Sequence, residues 1–294
     1  MTDNTLESSM QTSDNPAPKP AVEKKSWVPV VLIGIAVLFL GLVLYIPAIN
    51  VFYFAFHRGL GPFLHNLTEP NFISAVRMTL ALAAIAVPIN VIFGLATAWA
   101  LANKRFRGRT LLLSIVDLPF AISPVVAGLM IVLLYGRQGW FGPFLQERGI
   151  QIVFAFPAMV LATLFVSMPF VAREVIPVLE EEGVDQEEAA YTLGANYWQT
   201  FWRVTVPNIR WGLLYGVLLT NARAMGEFGA VSVVSGNIIG KTQSLPLFVE
   251  EAYKSYDTEA AYSAAVLLAL LALVTLVLKE ILERKTGGYR KKMH

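Results

Sequence analysis

Between two apolar stretches the chain reads Glu188-Ala189-Ala190-Tyr191-Thr192-Leu193-Gly194-Ala195 and then, after a short amphipathic run, Val204-Thr205-Val206-Pro207. Ala189, Ala190 and Leu193 fall at helical spacing. Gly194 is a natural stop, because glycine takes the left-handed cap without penalty. Asn196 can cap a second short helix, in which Trp198, Phe201 and Trp202 form an apolar stripe at i, i+3 and i+4. Pro207 is expected to end that helix ahead of the next apolar stretch. The approach is acidic, with Glu180, Glu181, Glu182, Asp185, Glu187 and Glu188. Two readings fit this stretch. It is an interfacial pair of amphipathic helices without a partner, or a docking element whose small residues let a partner surface reach the backbone.

Its surroundings are a membrane protein's. The 294 residues are 55% hydrophobic and only 15% charged, where a soluble domain carries about 25% charge. A net charge of +2 gives no reason to expect a nucleic-acid partner. The chain has no cysteine, which excludes disulfides, thiol chemistry and cysteine-ligated metals. His57, His65 and His294 are too scattered for a metal site. No cofactor is expected in this chain.

A helix needs about 20 apolar residues to span the hydrocarbon core. Six stretches qualify: Trp27–Phe54, Phe72–Leu101, Thr110–Leu134, Ile152–Val171, Trp211–Val234 and Ala260–Leu282. Asp117, Pro119 and Pro124 interrupt the third, and Pro157 and Pro169 the fourth. These prolines predict kinked helices within a bundle, where neighbours satisfy the freed carbonyls. The expected organisation is a disordered cytoplasmic tail over 1–26, a permease-like membrane domain over 27–285 and a basic cytoplasmic tail over 286–294. Within that domain the core is 72–282 and the cytoplasmic loop 180–208. The first apolar run starts too late, and runs too long, for a cleaved secretory signal. With both termini inside, sixteen lysines and arginines face the cytoplasm and six face outward. That bias puts the Glu188 loop on the cytoplasmic side.

The fifth stretch holds intramembrane charge. Arg223 lies ~18 Å of helix beyond Trp211, near the middle of the core, where ionisable groups usually face the bundle interior or water. Arg223 and Glu227 are spaced to pair on one helix face. They are either a structural pair, or Arg223 supplies positive potential to an anion path. Asn221, Ser232 and Ser235, with Thr220, could offer hydrogen bonds along it, although they do not share one face. Gly212, Gly216, Gly226 and Gly229 favour close helix packing. Asp117, ~12 Å into the third stretch, calls for a basic partner that the sequence does not name.

The order Glu-Ala-Ala, Gly, Val-x-Val-Pro resembles the cytoplasmic signature of permease subunits of binding-protein-dependent ABC importers. Their pattern is Glu-Ala-Ala, Gly, Ile-x-Leu-Pro; Glu188, Ala189, Ala190, Gly194 and Pro207 match it, and Val204 and Val206 are conservative departures. The stretches Asp117–Gly128 and Leu219–Gly236 are similar to the sulfate/thiosulfate branch, in its CysW-type subunits; molybdate permeases share a comparable Ala-Arg-Ala-x-Gly-Glu-Phe-Gly run. The resemblance covers about Trp27 to Leu282. It implies an all-α integral membrane protein with six transmembrane helices, the type I ABC importer (MetI-like) permease fold and a cytoplasmic coupling helix. It also implies a second homologous permease, two ATP-binding subunits that hold the ATP and magnesium, a periplasmic sulfate/thiosulfate-binding protein, and a bacterial inner membrane. The chain itself would catalyse no reaction. Other readings are a permease for molybdate or another tetrahedral oxyanion, an ATP-independent anion channel, and a secondary transporter. Gly236 to Thr242 is not a phosphate-binding loop: three residues separate its glycines, where that loop needs four.

Overall fold

A computed structural model of the chain describes residues 27–102 and 107–290, the side chains of 279 and 282–290 excepted. The chain divides into two compact units, Met1–Ile49 and Asn50–His294. In the first, helix α1 (Val28–Leu40) leads through a π turn (Gly41–Tyr45) into the start of α2 (Ile46–Phe56), whose residues from Asn50 belong to the second. Its apolar side chains are exposed on all sides, as befits a helix whose solvent is lipid. The expected tail over 1–26 lies outside the described residues.

The second unit is all-helical among the described residues. After α3 (Leu60–Thr68), α4 (Pro70–Ala102) is a long apolar helix. Then come α5 (Arg109–Ala121), α6 (Pro124–Tyr135), the short α7 (Gly142–Glu147) and α8 (Phe156–Glu182). The expected loop forms α9 (Asp185–Thr192) and α10 (Tyr197–Thr200). The chain finishes with α11 (Val206–Met225), α12 (Gly229–Ser235), α13 (Leu245–Lys254) and α14 (Thr258–Arg290). Helix α14 continues into the segment expected as a basic tail; 291–294 lie outside the described residues.

Among the described residues, four helical runs are long and apolar enough to cross a membrane: Val28–Phe56, Pro70–Ala102, Phe156–Glu182 and Thr258–Leu278. A fifth is added if α5 and α6 form one broken span. Three expectations change here. The stretch 110–134 is not a kinked rod but two helices bent by 106°. The cause is local: proline disfavours helical geometry in the residue before it, and Ile122 and Ser123 are both extended ahead of Pro124. The stretch 211–234 is likewise broken, α11 ending at Met225 and α12 starting at Gly229. Conversely, α8 does not end at Val171. It runs through Pro169 and Pro177 to the acidic Glu180–Glu182.

Helices α4, α8 and α11 pack on one another, with α5 against α8, α12 against α6 and α8, and α13 against α14 and α4. One core cluster gathers Leu82, Ala158, Met159, Ala162 and Val166 with Val231 and Val234. A second surrounds the later half of α8, with Ala98, Leu101, Val171, Val175, Leu179 and Ile209. Small residues set the approach, as in membrane bundles generally. A Cβ on Gly94 would lie 2.7 Å from the Val171 Cβ, and one on Gly216 3.0 Å from the Val171 Cα. Buried polar groups are satisfied across helices: Asn90 Nδ2 donates to Ser167 Oγ at 2.8 Å and to the Leu164 carbonyl at 3.2 Å.

Helix α6 meets α12 most tightly at Gly128, where a Cβ would fall 2.7 Å from the Ala230 carbonyl oxygen and 2.9 Å from the Val233 Cβ. Gly128→Ala is therefore expected to force the two helices apart at a cost of about 1–3 kcal/mol. It should appear as a lower melting temperature of the detergent-purified protein. Gly61→Ala, where nothing lies within 4 Å of the new Cβ, serves as the control and should not lower it.

Candidate functional site: the α9–α10 element and the break after α11

Gly183, at φ +68°, turns the chain out of α8, and Asp185, Glu187 and Glu188 occupy the first turn of α9, where acidic groups favour the helix dipole. The C-terminus is closed as a Schellman motif. The Ala195 N–H donates to the Ala190 carbonyl at 3.0 Å and the Gly194 N–H to that of Tyr191 at 2.9 Å. Gly194 has φ +86°, so the stop assigned to it from sequence is a left-handed cap. No atom lies within 4 Å of its Cβ position; the chain itself leaves that side open.

Asn196 then caps α10 with Gln199 in a reciprocal box, each side chain accepting from the other's backbone N–H at 2.9 Å. Tyr197 packs edge-on against Trp99, ring centres 5.1 Å apart, which holds α10 under the end of α4. The expected role of Pro207 needs correcting. It does not end a helix. The backbone passes from α10 through a π turn (Phe201–Thr205) straight into α11. Proline lacks an N–H and crowds the carbonyl four residues back. In the wider turn the Val206 N–H reaches five residues back to the Phe201 carbonyl, and that accommodates the ring.

Glu188 and Ala189 are exposed and Ala190 is half-buried. Around them Leu193 is 88% exposed, Trp198 66% and Trp202 60%. Two side-chain bonds fasten α9 to the base of α11. The Thr205 hydroxyl donates to Glu187 Oε1 at 2.5 Å, and Asn208 Nδ2 donates to Gln186 Oε1 at 2.8 Å. Neither bond was legible from the sequence.

The second candidate region lies at the break between α11 and α12. Arg223 Nη2 sits 2.9 Å from Glu227 Oε2; the Arg223 side chain is 34% exposed and that of Glu227 1%. Oε2 receives no well-aligned hydrogen bond despite that distance, so the contact is mainly electrostatic. Glu227 Oε1 accepts the Ala230 N–H at 2.8 Å, which caps the start of α12. The pair thus bridges two helices, not one helix face, because α11 has already ended. Gly229 lets this break touch the other one: its Cβ position lies 2.9 Å from the Pro124 Cβ.

Asn221 is half-buried and its amide points to the Met225 sulfur at 3.3 Å. Ser232 is half-buried and donates to the Gly229 carbonyl. Ser235 is fully buried; its hydroxyl accepts the Asn237 N–H and its carbonyl accepts the Thr242 hydroxyl. It braces the following turn and faces no open space here. A groove of about 230 Å³ near Asn90 and one of about 1040 Å³ between α6 and the start of α8 both lie apart from Arg223.

Asp117, left without a partner by the sequence, pairs with Arg173 at 2.8 Å across α5 and α8. Arg173 also lies over the Phe120 ring, 4.9 Å from its centre. One end of the same seam carries the Arg109–Glu180 pair. Only the Ser123-Pro124 break signal was present in the sequence; which arginine answered Asp117 was not.

Residues 90–288 match the model of the binding-protein-dependent transport system inner membrane components. The chain belongs to that family. The match contains both the α9–α10 element and the α11–α12 break. The chain is 65% identical to the sulfate transport system permease protein CysW of Synechocystis over 259 residues, 88% of this chain and 94% of that protein. It is 38% identical to the sulfate transport system permease protein CysT of Escherichia coli, covering 82% of this chain and 88% of that one. Among solved structures it resembles a chain of a bacterial ABC transporter involved in the import of the acidic polysaccharide alginate. There the TM-score is 0.75 at 18% identity, over 88% of this chain and 96% of that one. This last likeness shows the fold alone, and it is the all-helical ABC permease fold that the sequence led us to expect. Family members are inner membrane components, and this member's apolar helices are of spanning length.

Proposed function

We propose that this permease is a transmembrane subunit of an ATP-driven sulfate/thiosulfate importer, forming half of the translocation pathway. The observation that carries the reading is the 65% identity to a sulfate transport permease along nearly the whole of both chains. The chain supplies no catalysis; ATP and magnesium belong to two ATP-binding subunits that dock on α9 and α10 through Glu188, Ala189, Ala190, Gly194 and the turn leading to Pro207. A second, homologous permease completes the pathway, a pairing supported by the parallel likeness to CysW and CysT proteins. A periplasmic binding protein delivers the anion to the outer end, where Tyr253, in the last turn of α13, and Tyr256, just beyond it, are exposed.

The chain crosses the inner membrane six times with both termini in the cytoplasm. Beside the four long runs, the broken α5–α6 pair and the α11–α12 pair make the remaining crossings. Sulfate is a dianion that cannot enter hydrocarbon unaided. Closure of the ATPases moves α9 and α10, the bundles rock, and access alternates from outside to inside. Arg223 lends the path positive potential, and half-buried Asn221 and Ser232 flank it. Glu227 sets the position of Arg223, and Ser235 supports the turn behind them.

The test is reconstitution. Purified from cells making its partners, the chain should bring down a second permease and ATPase subunits, and vesicles should take up sulfate only with ATP and binding protein. Thiosulfate and molybdate as competitors rank the anions. Conduction by the purified chain alone, or uptake that survives ATP depletion, would overturn the proposal.

A further inference from the structure

We infer that Gln186 and Glu187, not only the docking residues beside them, carry motion from α9 into α11 and so set how much transport each ATP drives. The inference rests on the reading of α9 as the ATPase contact. Helix α9 lies between two glycine joints, Gly183 at φ +68° and Gly194 at φ +86°, and neither has a neighbour within 4 Å of its Cβ position. The two joints therefore carry no packing contact from α9 into the rest of the chain; the side-chain bonds do. Thr205, only 3% exposed, donates to Glu187 Oε1, and Asn208 donates to Gln186 Oε1. Hydrogen bonds to a charged acceptor are roughly twice as strong as neutral ones, and burial of the donor strengthens the first.

These bonds land on the base of a stiff rod. From Val206 to Met225 helix α11 is unbroken, and Thr205 to Arg223 spans ~27 Å at ~1.5 Å per residue. The rod is wedged against α8, with Gly212 and Gly216 in near contact with Val178 and Val171. A displacement of α9 thus tilts α11 and moves its far end, where Arg223 and Glu227 close the break to α12.

The experiment uses the assembled transporter in vesicles and reads sulfate moved per ATP hydrolysed. Glu187→Ala and Thr205→Val should keep both ATPase subunits bound and hydrolysing while transport per ATP falls about tenfold, the scale of one charged hydrogen bond. Glu187→Gln and Thr205→Ser preserve the acceptor and donor and should restore coupling to within about twofold. Gln186→Ala should lower transport per ATP in the same direction by about threefold, the scale of a neutral hydrogen bond. Loss of bound ATPase in Glu187→Ala would make Glu187 a docking residue and overturn the inference. So would normal coupling in that variant. If the unaltered chain binds no ATPase, it is the functional reading that fails, and the two failures are distinguishable.

Discussion

Sulfate uptake by the Arg223→Ala, Glu227→Gln double variant should fall by about tenfold or more while the transporter still assembles. The single variant Arg223→Ala is the wrong experiment by itself. Glu227 is buried, and removing the partner of a buried ion costs about 3–5 kcal/mol by leaving its charge uncompensated. The single variant is thus expected to assemble poorly whether or not Arg223 meets the substrate. Glu227→Gln removes the stranded charge, and its side-chain oxygen can still accept the Ala230 N–H that caps α12. Uptake in vesicles, normalised to assembled transporter, then reports the guanidinium alone. Recovery of both assembly and flux in the double variant would show that Arg223 does no more than neutralise Glu227.

Replacement of Gly194 has the second large effect, and here two causes can be separated. At φ +86° an ordinary residue costs about 1–2 kcal/mol, whereas asparagine tolerates the left-handed region. No atom of this chain obstructs a side chain there. Gly194→Asn should therefore leave α9 and its cap intact yet reduce ATP-dependent uptake by about tenfold or more, because the new side chain fills the space a docked ATPase needs. Gly194→Val should lose uptake and also loosen the cap, seen as faster protease cleavage at 194–196. Full uptake with Gly194→Asn would remove Gly194 from the docking surface.

The sequence was most informative where chemistry is local. Gly194 stopped a helix and Asn196 started one because a left-handed position and an orphan N–H are short-range demands, and both caps form as expected. Four of the six expected spanning stretches coincide with helical runs of spanning length, because lipid imposes apolar length. Pro207 was misread: a proline marks a lost N–H and a crowded carbonyl, but a helix can widen into a π turn ahead of it and continue. The break at Ser123-Pro124 was visible as a proline. Its 106° angle was not, because a proline disfavours helix in the residue before it without fixing the torsions that Ile122 and Ser123 take.

Local caps, apolar lengths and the spacing of the Glu188–Pro207 signature were thus determined by the sequence itself, since each depends on residues within a few turns of one another. Tertiary structure alone decided the pairings across helices. Arg173 answers Asp117 from 56 positions away. Gln186 and Glu187 find Asn208 and Thr205 across a turn of chain. A charge or a hydroxyl announces that it needs a partner, but packing chooses among the candidates. In this permease the packing of α5 on α8, and of α9 on the turn before α11, made that choice.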